Sequence, residues 1–246
     1  MESIFHKVDC LHCRLSELCL SNGLNKEEIQ QLTSIVKSKR PIKSDEFLYR
    51  QNDQCESFYV VRSGSFRSFI SNTDGSEQTI SFYLSGELMG LDSLQNGRFY
   101  CSVVAMETST VCELPLAKLN EIYLQIPAVQ AQMTRIIGRE IASDHDKIVL
   151  LGNRSATEKM ATFLLMLSQR YYSLGYSGTR FNLSMRRYDI ANFLGLTIET
   201  VSRQLSSLSK QGIITVDQRG IQIDNMDLLK TIVEPCLPKR VSSINK

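Results

Sequence analysis

Three thiols fall within ten residues near the start of the chain, in Cys10-Leu-His-Cys13-Arg-Leu-Ser-Glu-Leu-Cys19. No helical or strand period relates them, so a loop wrapped around a metal is the expected form. The C-x-x-C pair lets two sulfurs reach one centre, and Cys19 closes the loop. A fourth ligand must come from elsewhere. Zinc accepts four cysteines in tetrahedral geometry, and a [4Fe–4S] cluster also takes four thiolates; spacing alone does not separate them. His12 lies among the thiols and is read as a bystander; the only other histidines are His6 and His145.

A second group of residues suits nucleic acid. Glu199, Ser202 and Arg203 stand at i, i+3 and i+4 near the start of an amphipathic segment. Arginine grips guanine through two hydrogen bonds, a carboxylate accepts from cytosine, and serine adds a shorter contact. The competing reading is a surface Glu199–Arg203 pair contributing about 0.3–0.5 kcal/mol. Arg186, Arg187 and Arg219 flank this segment and are expected to meet phosphate rather than bases. No nucleophile–base–acid set, P-loop or HExxH is present, so an enzyme is not expected.

The elements needed to position these residues are legible in outline. Asn25 to Lys37 reads as a short helix, with Asn25 and Glu28 forming a capping box. From Arg40 to about Leu116 the pattern is short strands with turn punctuation: 58–61, 66–70, 79–83, 100–105 and 109–114, with a hairpin expected at Asn96-Gly97. Such strands imply a jelly-roll barrel, a form that often holds a small ligand. Pro127 to Leu151 reads as one long helix, opened by a proline suited to its first turn. Ser155 to Tyr172 is a further helix, with Met160, Phe163, Leu164 and Leu167 as its buried stripe, and Phe181 to Leu183 a strand. Tyr188 to Leu194, a turn at Gly195-Leu196, and Thr197 to Gln211 read as a helix-turn-helix in which Val201, Leu205 and Leu208 are buried. A hairpin turning through Asp217 to Gly220 adds a wing, with Arg219 at its tip. The fold class is therefore α+β, divided as a cysteine-rich segment (1–20), a β-barrel sensor domain (21–126), a dimerisation helix (127–153) and a winged helix-turn-helix domain (154–246).

On the long helix, Thr134, Ile137, Ile141, Asp144, Ile148 and Leu151 follow the alternating three- and four-residue steps of a coiled-coil seam. A second row, Val129, Met133 and Ile136, is expected to lie against a neighbouring domain. In a symmetric pair Asp144 would face its own copy. Two like charges about 6 Å apart at an effective dielectric near 20 repel by roughly 3 kcal/mol, comparable to what one buried leucine returns. The expected homodimer is accordingly weak and needs outside help. The competing reading turns Asp144 to solvent on an ordinary core helix.

Of the 246 residues, 42% are hydrophobic and 22% charged, as in soluble globular proteins. The opening MESIFHKVDC lacks the apolar core of a signal peptide, and no apolar run reaches membrane-spanning length, so a cytoplasmic protein is expected. Net charge is +2 but uneven: +6 from Arg154 onward and −4 before it, which points the C-terminal part toward a polyanion.

Taken together, the chain resembles the FNR family of oxygen-responsive regulators within the CRP superfamily, from Cys10 to about Asp227. LYRQNDQCESFYVVRSG and GELMGLDSL resemble that superfamily's cyclic-nucleotide-binding-like effector domain, LGLTIETVSRQL its recognition helix, and the cysteine arrangement with the later VCELP its cluster-bearing branch. The resemblance implies a [4Fe–4S] cluster on Cys10, Cys13, Cys19 and Cys112, an intact cluster that promotes dimerisation, and binding to a palindromic TTGAT-type site that controls anaerobic genes, with RNA polymerase as a further partner. Two departures from the nucleotide-responsive branch matter. Its phosphate-holding arginine-serine pair falls near Tyr100-Cys101 here, with Arg98 out of register and Gly86-Glu87 the sole remnant; and Ile198 replaces an arginine before Glu199. The alternatives are a cyclic-nucleotide-responsive regulator and a thiol-disulfide sensor. Arg14 stands beside the second ligand and would alter cluster exposure, while Cys55, Cys101 and Cys236 carry no assigned role.

Overall fold

The computed structural model describes residues 9–233; Cys236 and the polar tail lie outside the described residues. The chain divides into two compact units, Met1–Ile141 and Ala142–Lys246, with the boundary inside the long helix.

In the first unit a turn-rich leader (residues 9–24) precedes helix α1 (Lys26–Ile35). The expected capping box is formed: the Glu28 amide donates to Asn25 Oδ1 and the Asn25 amide to Glu28 Oε2, both at 2.9 Å. The helix ends two residues before the expected Lys37, because Lys37 already pairs with Glu113 in a sheet.

Eight strands follow: β1 (Lys37–Ser38), β2 (Phe47–Tyr49), β3 (Ser57–Ser63), β4 (Phe66–Ser71), β5 (Glu77–Tyr83), β6 (Leu88–Met89), β7 (Ser102–Ala105) and β8 (Thr110–Pro115). They form two antiparallel four-stranded sheets, ordered β1-β8-β3-β6 and β2-β7-β4-β5, in keeping with the expected jelly roll. The short strands β1, β2 and β6 escaped the sequence because two or three residues show no period. At the β3–β4 turn Gly64 has φ +79°, and a Cβ there would overlap Ser109; only glycine satisfies both demands. The Asn96-Gly97 hairpin is not formed. The pair follows a 3₁₀ helix, Leu91–Gln95, and the Gly97 amide donates to the Ser93 carbonyl at 2.8 Å. Closing that short helix took precedence over local turn chemistry.

Helix α2 (Leu116–Gln125) was not anticipated; it buries Leu119 and Ile122 against the barrel core. Helix α3 (Pro127–Leu151) has the expected limits. Its Val129 and Met133 belong to the barrel core and Ile136 packs on it, which places the second apolar row as expected.

The second unit contains α4 (Ala156–Ser173), β9 (Arg180–Asn182), α5 (Arg187–Leu194), α6 (Ile198–Lys210), β10 (Ile214–Asp217), β11 (Gly220–Ile223) and α7 (Met226–Val233). Ser155 caps α4 in a box with Glu158. Gly195 takes the left-handed conformation at the C-terminus of α5, which turns the chain into α6. Met160, Leu164, Ile190, Leu194, Val201, Leu205 and Leu208 are buried. The expected wing is present as a three-stranded sheet of order β10-β11-β9.

Candidate metal centre and nucleic-acid interface

The leader is held by short-range turns, in which the Ser16 amide donates to Cys13 O at 3.1 Å and the Cys19 amide to Leu15 O at 3.0 Å. Those turns let three cysteines face one side without a helix or strand. Leu18 lies against Gly86, whose φ is +88°; an added Cβ there would approach Leu18 Cβ to 3.2 Å. The leader thus rests on the β5–β6 turn.

One cavity of about 320 Å³ is lined by all four expected ligands, Cys10, Cys13, Cys19 and Cys112, together with Arg14 and Arg62. Three come from the leader and the fourth from β8, where Cys112 pairs with Ser38 on one side and Val60 on the other. The fold therefore closes a sequence gap of more than ninety residues between Cys19 and Cys112.

Burial dominates the acidity of Cys10, Cys19 and Cys112. It pushes Cys19 up to about 12 and, with the Cys10 sulfur adding to it, Cys112 up to about 11. Cys10 is raised by burial and by Cys13 and Asp9, against the pull of the Thr33 hydroxyl and the Arg62 guanidinium. Metal loading must displace these protons. Among the described residues no three His, Cys, Asp or Glu side chains converge tightly enough to hold a single ion. His12 borders the cavity, but its Nδ1 lies 2.7 Å from Asp9 Oδ2 and the ring is exposed. Sequence reasoning missed Arg62, which no periodicity marks out, and Gln132, whose Nε2 donates to the Cys19 carbonyl at 3.3 Å.

The barrel interior is occupied by its own side chains. Tyr49 and Phe99 are buried and stacked with centroids 3.7 Å apart. At the positions expected for a phosphate anchor, Tyr100 is exposed, while the buried Cys101 thiol donates to Asp92 Oδ2 at 3.2 Å. The Arg98 guanidinium donates to the Asn52 carbonyl at 2.7 Å, and the Glu87 carboxylate accepts from the Leu84 amide at 2.9 Å. Cys55 is buried as well, which accounts for the two described cysteines without a role as core residues.

In the second unit Thr197 caps α6 by accepting from the Thr200 amide at 3.1 Å. Glu199, Ser202 and Arg203 are all exposed on its first two turns, opposite the buried Val201, Leu205 and Leu208. Glu199's own backbone N–H and the Thr197 hydroxyl hold its carboxyl below the usual range, with Arg203 the weakest of the three influences. Arg203 Nη2 donates to Thr200 Oγ1 at 3.3 Å. Arg186 is exposed at the N-terminus of α5, and Arg219 is exposed in the two-residue wing turn beside Gln218, whose φ is 51°. Arg187 is only half-exposed; its Nη1 is buried without a hydrogen-bond partner among the described residues, and burial lowers its pKa.

On α3, Ile141 is 52% exposed, Ile148 68% and Leu151 40%, while Ile137 is half-buried on the barrel. Asp144 is exposed between them.

Residues 158–232 match the Crp-like helix-turn-helix domain and residues 39–125 the cyclic nucleotide-binding domain. The chain is 40% identical over 222 residues to the regulatory protein HlyX of Actinobacillus pleuropneumoniae, covering 90% of this chain and 92% of that one. It is 38% identical over 222 residues to the fumarate and nitrate reduction regulatory protein of Escherichia coli K12, covering 90% and 89%. Among solved structures, FixK2 of Bradyrhizobium japonicum superposes with TM-score 0.73 at 30% identity, covering 80% of this chain and 97% of that one.

Proposed function

Because the chain belongs to the FNR family of the CRP/FNR superfamily of DNA-binding transcription regulators, we propose that it senses dioxygen through a [4Fe–4S] cluster held by Cys10, Cys13, Cys19 and Cys112. The observation that carries this reading is the convergence of these four thiols, from two distant stretches, on one cavity. Zinc would also accept four thiolates; membership of the FNR family is what favours iron here. The stacked Tyr49–Phe99 pair and the neutral Cys101 at the anchor position weigh against a cyclic nucleotide.

When bound, the cluster would supply four iron–thiolate bonds to the chain and an iron–sulfide core that dioxygen can oxidise. Cys10, Cys13 and Cys19 would hold the leader against β8 through Cys112. The seam of α3, with Ile137, Ile141, Asp144, Ile148 and Leu151, would then pair with a second copy. A bias of a few kcal/mol suffices to move such an equilibrium from mostly monomer to mostly dimer. Two α6 helices at fixed spacing would grip a palindrome of TTGAT-type half-sites. Arg203 would donate to guanine and Glu199 accept from cytosine, with Ser202 adding a shorter contact. Ile198 offers no guanine contact. Arg186, Arg187 and Arg219 would meet phosphate, Arg187 through the part of its guanidinium other than the buried Nη1. The resulting regulator would act in the cytoplasm on anaerobic genes, with RNA polymerase as its other partner; no described helix is long and apolar enough to cross a membrane.

Anaerobically purified protein should be straw-brown with about four irons and four sulfides per chain, dimeric, and monomeric after exposure to air. Cys112→Ser, kept free of dioxygen, should lose iron, dimer and operator occupancy together. Colourless protein that dimerises equally in air, or disulfide-linked Cys10, Cys13 or Cys19 without iron, would replace this reading with a zinc brace or a thiol switch.

A further inference from the structure

Gln132 is 2% exposed on the barrel-facing side of α3, among Val129 and Met133 and opposite the seam. A buried amide requires partners, and each end of this one has a specific partner. Nε2 donates to the backbone carbonyl of Cys19 at 3.3 Å, across 113 residues of sequence. Oε1 accepts from Arg135 Nη1 at 3.3 Å, which fixes the direction in which the amide faces. The same Cys19 carbonyl also accepts from the Asn22 amide at 3.2 Å, so it belongs to the turn that sets the leader's shape. The backbone of one cluster-ligand residue is thus bonded directly to the pairing helix.

We propose that Gln132 is the positioning residue that couples the cysteine leader to the pairing helix, registering α3 against the Cys19 carbonyl so that the leader's placement sets how the seam is presented. The proposal rests on the reading of Cys19 as a cluster ligand. While the leader is held, the carbonyl stays in place and the buried amide is satisfied. When the leader is released, the carbonyl departs, and Gln132 must find water or another acceptor, which requires α3 to shift or open at this point. By linkage the effect runs both ways: pairing of α3 steadies the leader.

Two variants test it. Gln132→Leu removes the amide at similar volume, and Gln132→Glu keeps the shape and an acceptor for Arg135 while losing the donor. Iron and sulfide per chain, sedimentation mass without and with air, and amide exchange across residues 15–22 of the metal-free chain are measured on each. Both variants should keep the parent's iron, yet dimerise at least fivefold more weakly without air, so that the difference between anaerobic and aerated mass shrinks. Exchange at Cys19 and Asn22 should quicken in the metal-free variants. Parent-like dimerisation, or a dimer loss that only tracks iron loss, overturns the coupling role. If the parent holds no iron, the cluster reading fails by itself, and unchanged exchange in the variants then removes the Gln132 link too.

Discussion

Lys147 Nζ lies 2.9 Å from Asp144 Oδ1, one turn along α3, with the lysine largely shielded and the carboxylate more than half exposed. This pairing modifies the repulsion expected at the seam. A carboxylate that carries its own ammonium along the same helix presents less net charge to a symmetric copy, so the bare-charge figure of roughly 3 kcal/mol is an upper bound.

Asp144→Ala should therefore raise dimer association in air by about five- to tenfold, consistent with a residual repulsion near 1 kcal/mol. Lys147→Ala should lower it by uncovering the carboxylate. Both shifts should diminish in high salt, because exposed charges are screened. Sedimentation equilibrium reads all three. An Asp144→Ala protein no more dimeric than its parent would show that the residue merely faces solvent.

The recognition helix separates base readers from phosphate contacts. Arg203→Ala and Glu199→Ala should each weaken operator binding by about 1–3 kcal/mol and relax the sequence preference at one base pair. Arg186→Ala and Arg219→Ala should weaken all sequences alike and flatten the salt dependence. The backbone and Thr197 lower the Glu199 carboxyl from its ordinary value, so its discrimination should fade at a lower pH than that of an ordinary glutamate. Fluorescence anisotropy with the operator and single-base variants measures both effects.

Cys101 should behave as an inert core thiol. It is 6% exposed, and burial followed by the Asp92 carboxylate raises its pKa above the ordinary 9.0. The sign follows from linkage: above pH 9 the unfolded chain releases this proton while the folded chain retains it, so stability falls as pH rises. Between pH 9 and 10 the metal-free parent should lose about 1 kcal/mol more than Cys101→Ala in denaturant melts. Iodoacetamide should spare Cys101 until the chain unfolds.

What the sequence determined by itself was local. The capping box at Asn25, the limits of α3, the helix-turn-helix with its left-handed Gly195, and the exposure of Glu199, Ser202 and Arg203 all follow from periods of 3.6 residues and from cap and turn chemistry, which act within a few residues. Strands of two or three residues, the helix at Leu116–Gln125 and the helix at Met226–Val233 were not legible, because so short a stretch carries no usable period or because the surrounding core, not propensity, selects it. Asn96-Gly97 was misread for a related reason: a neighbouring 3₁₀ helix used its backbone donor.

The candidate centre was half legible. Three thiols in ten residues announced a binding loop, but nothing in their spacing named Cys112, which came from family likeness. Only the tertiary structure brings β8 under the leader, sets Arg62 at the same wall, and joins Gln132 to the Cys19 carbonyl. Those relations depend on contacts between residues up to 113 positions apart. Such contacts leave no trace in periodicity, since they are fixed by strand pairing and by the burial of groups that must find partners once water is gone.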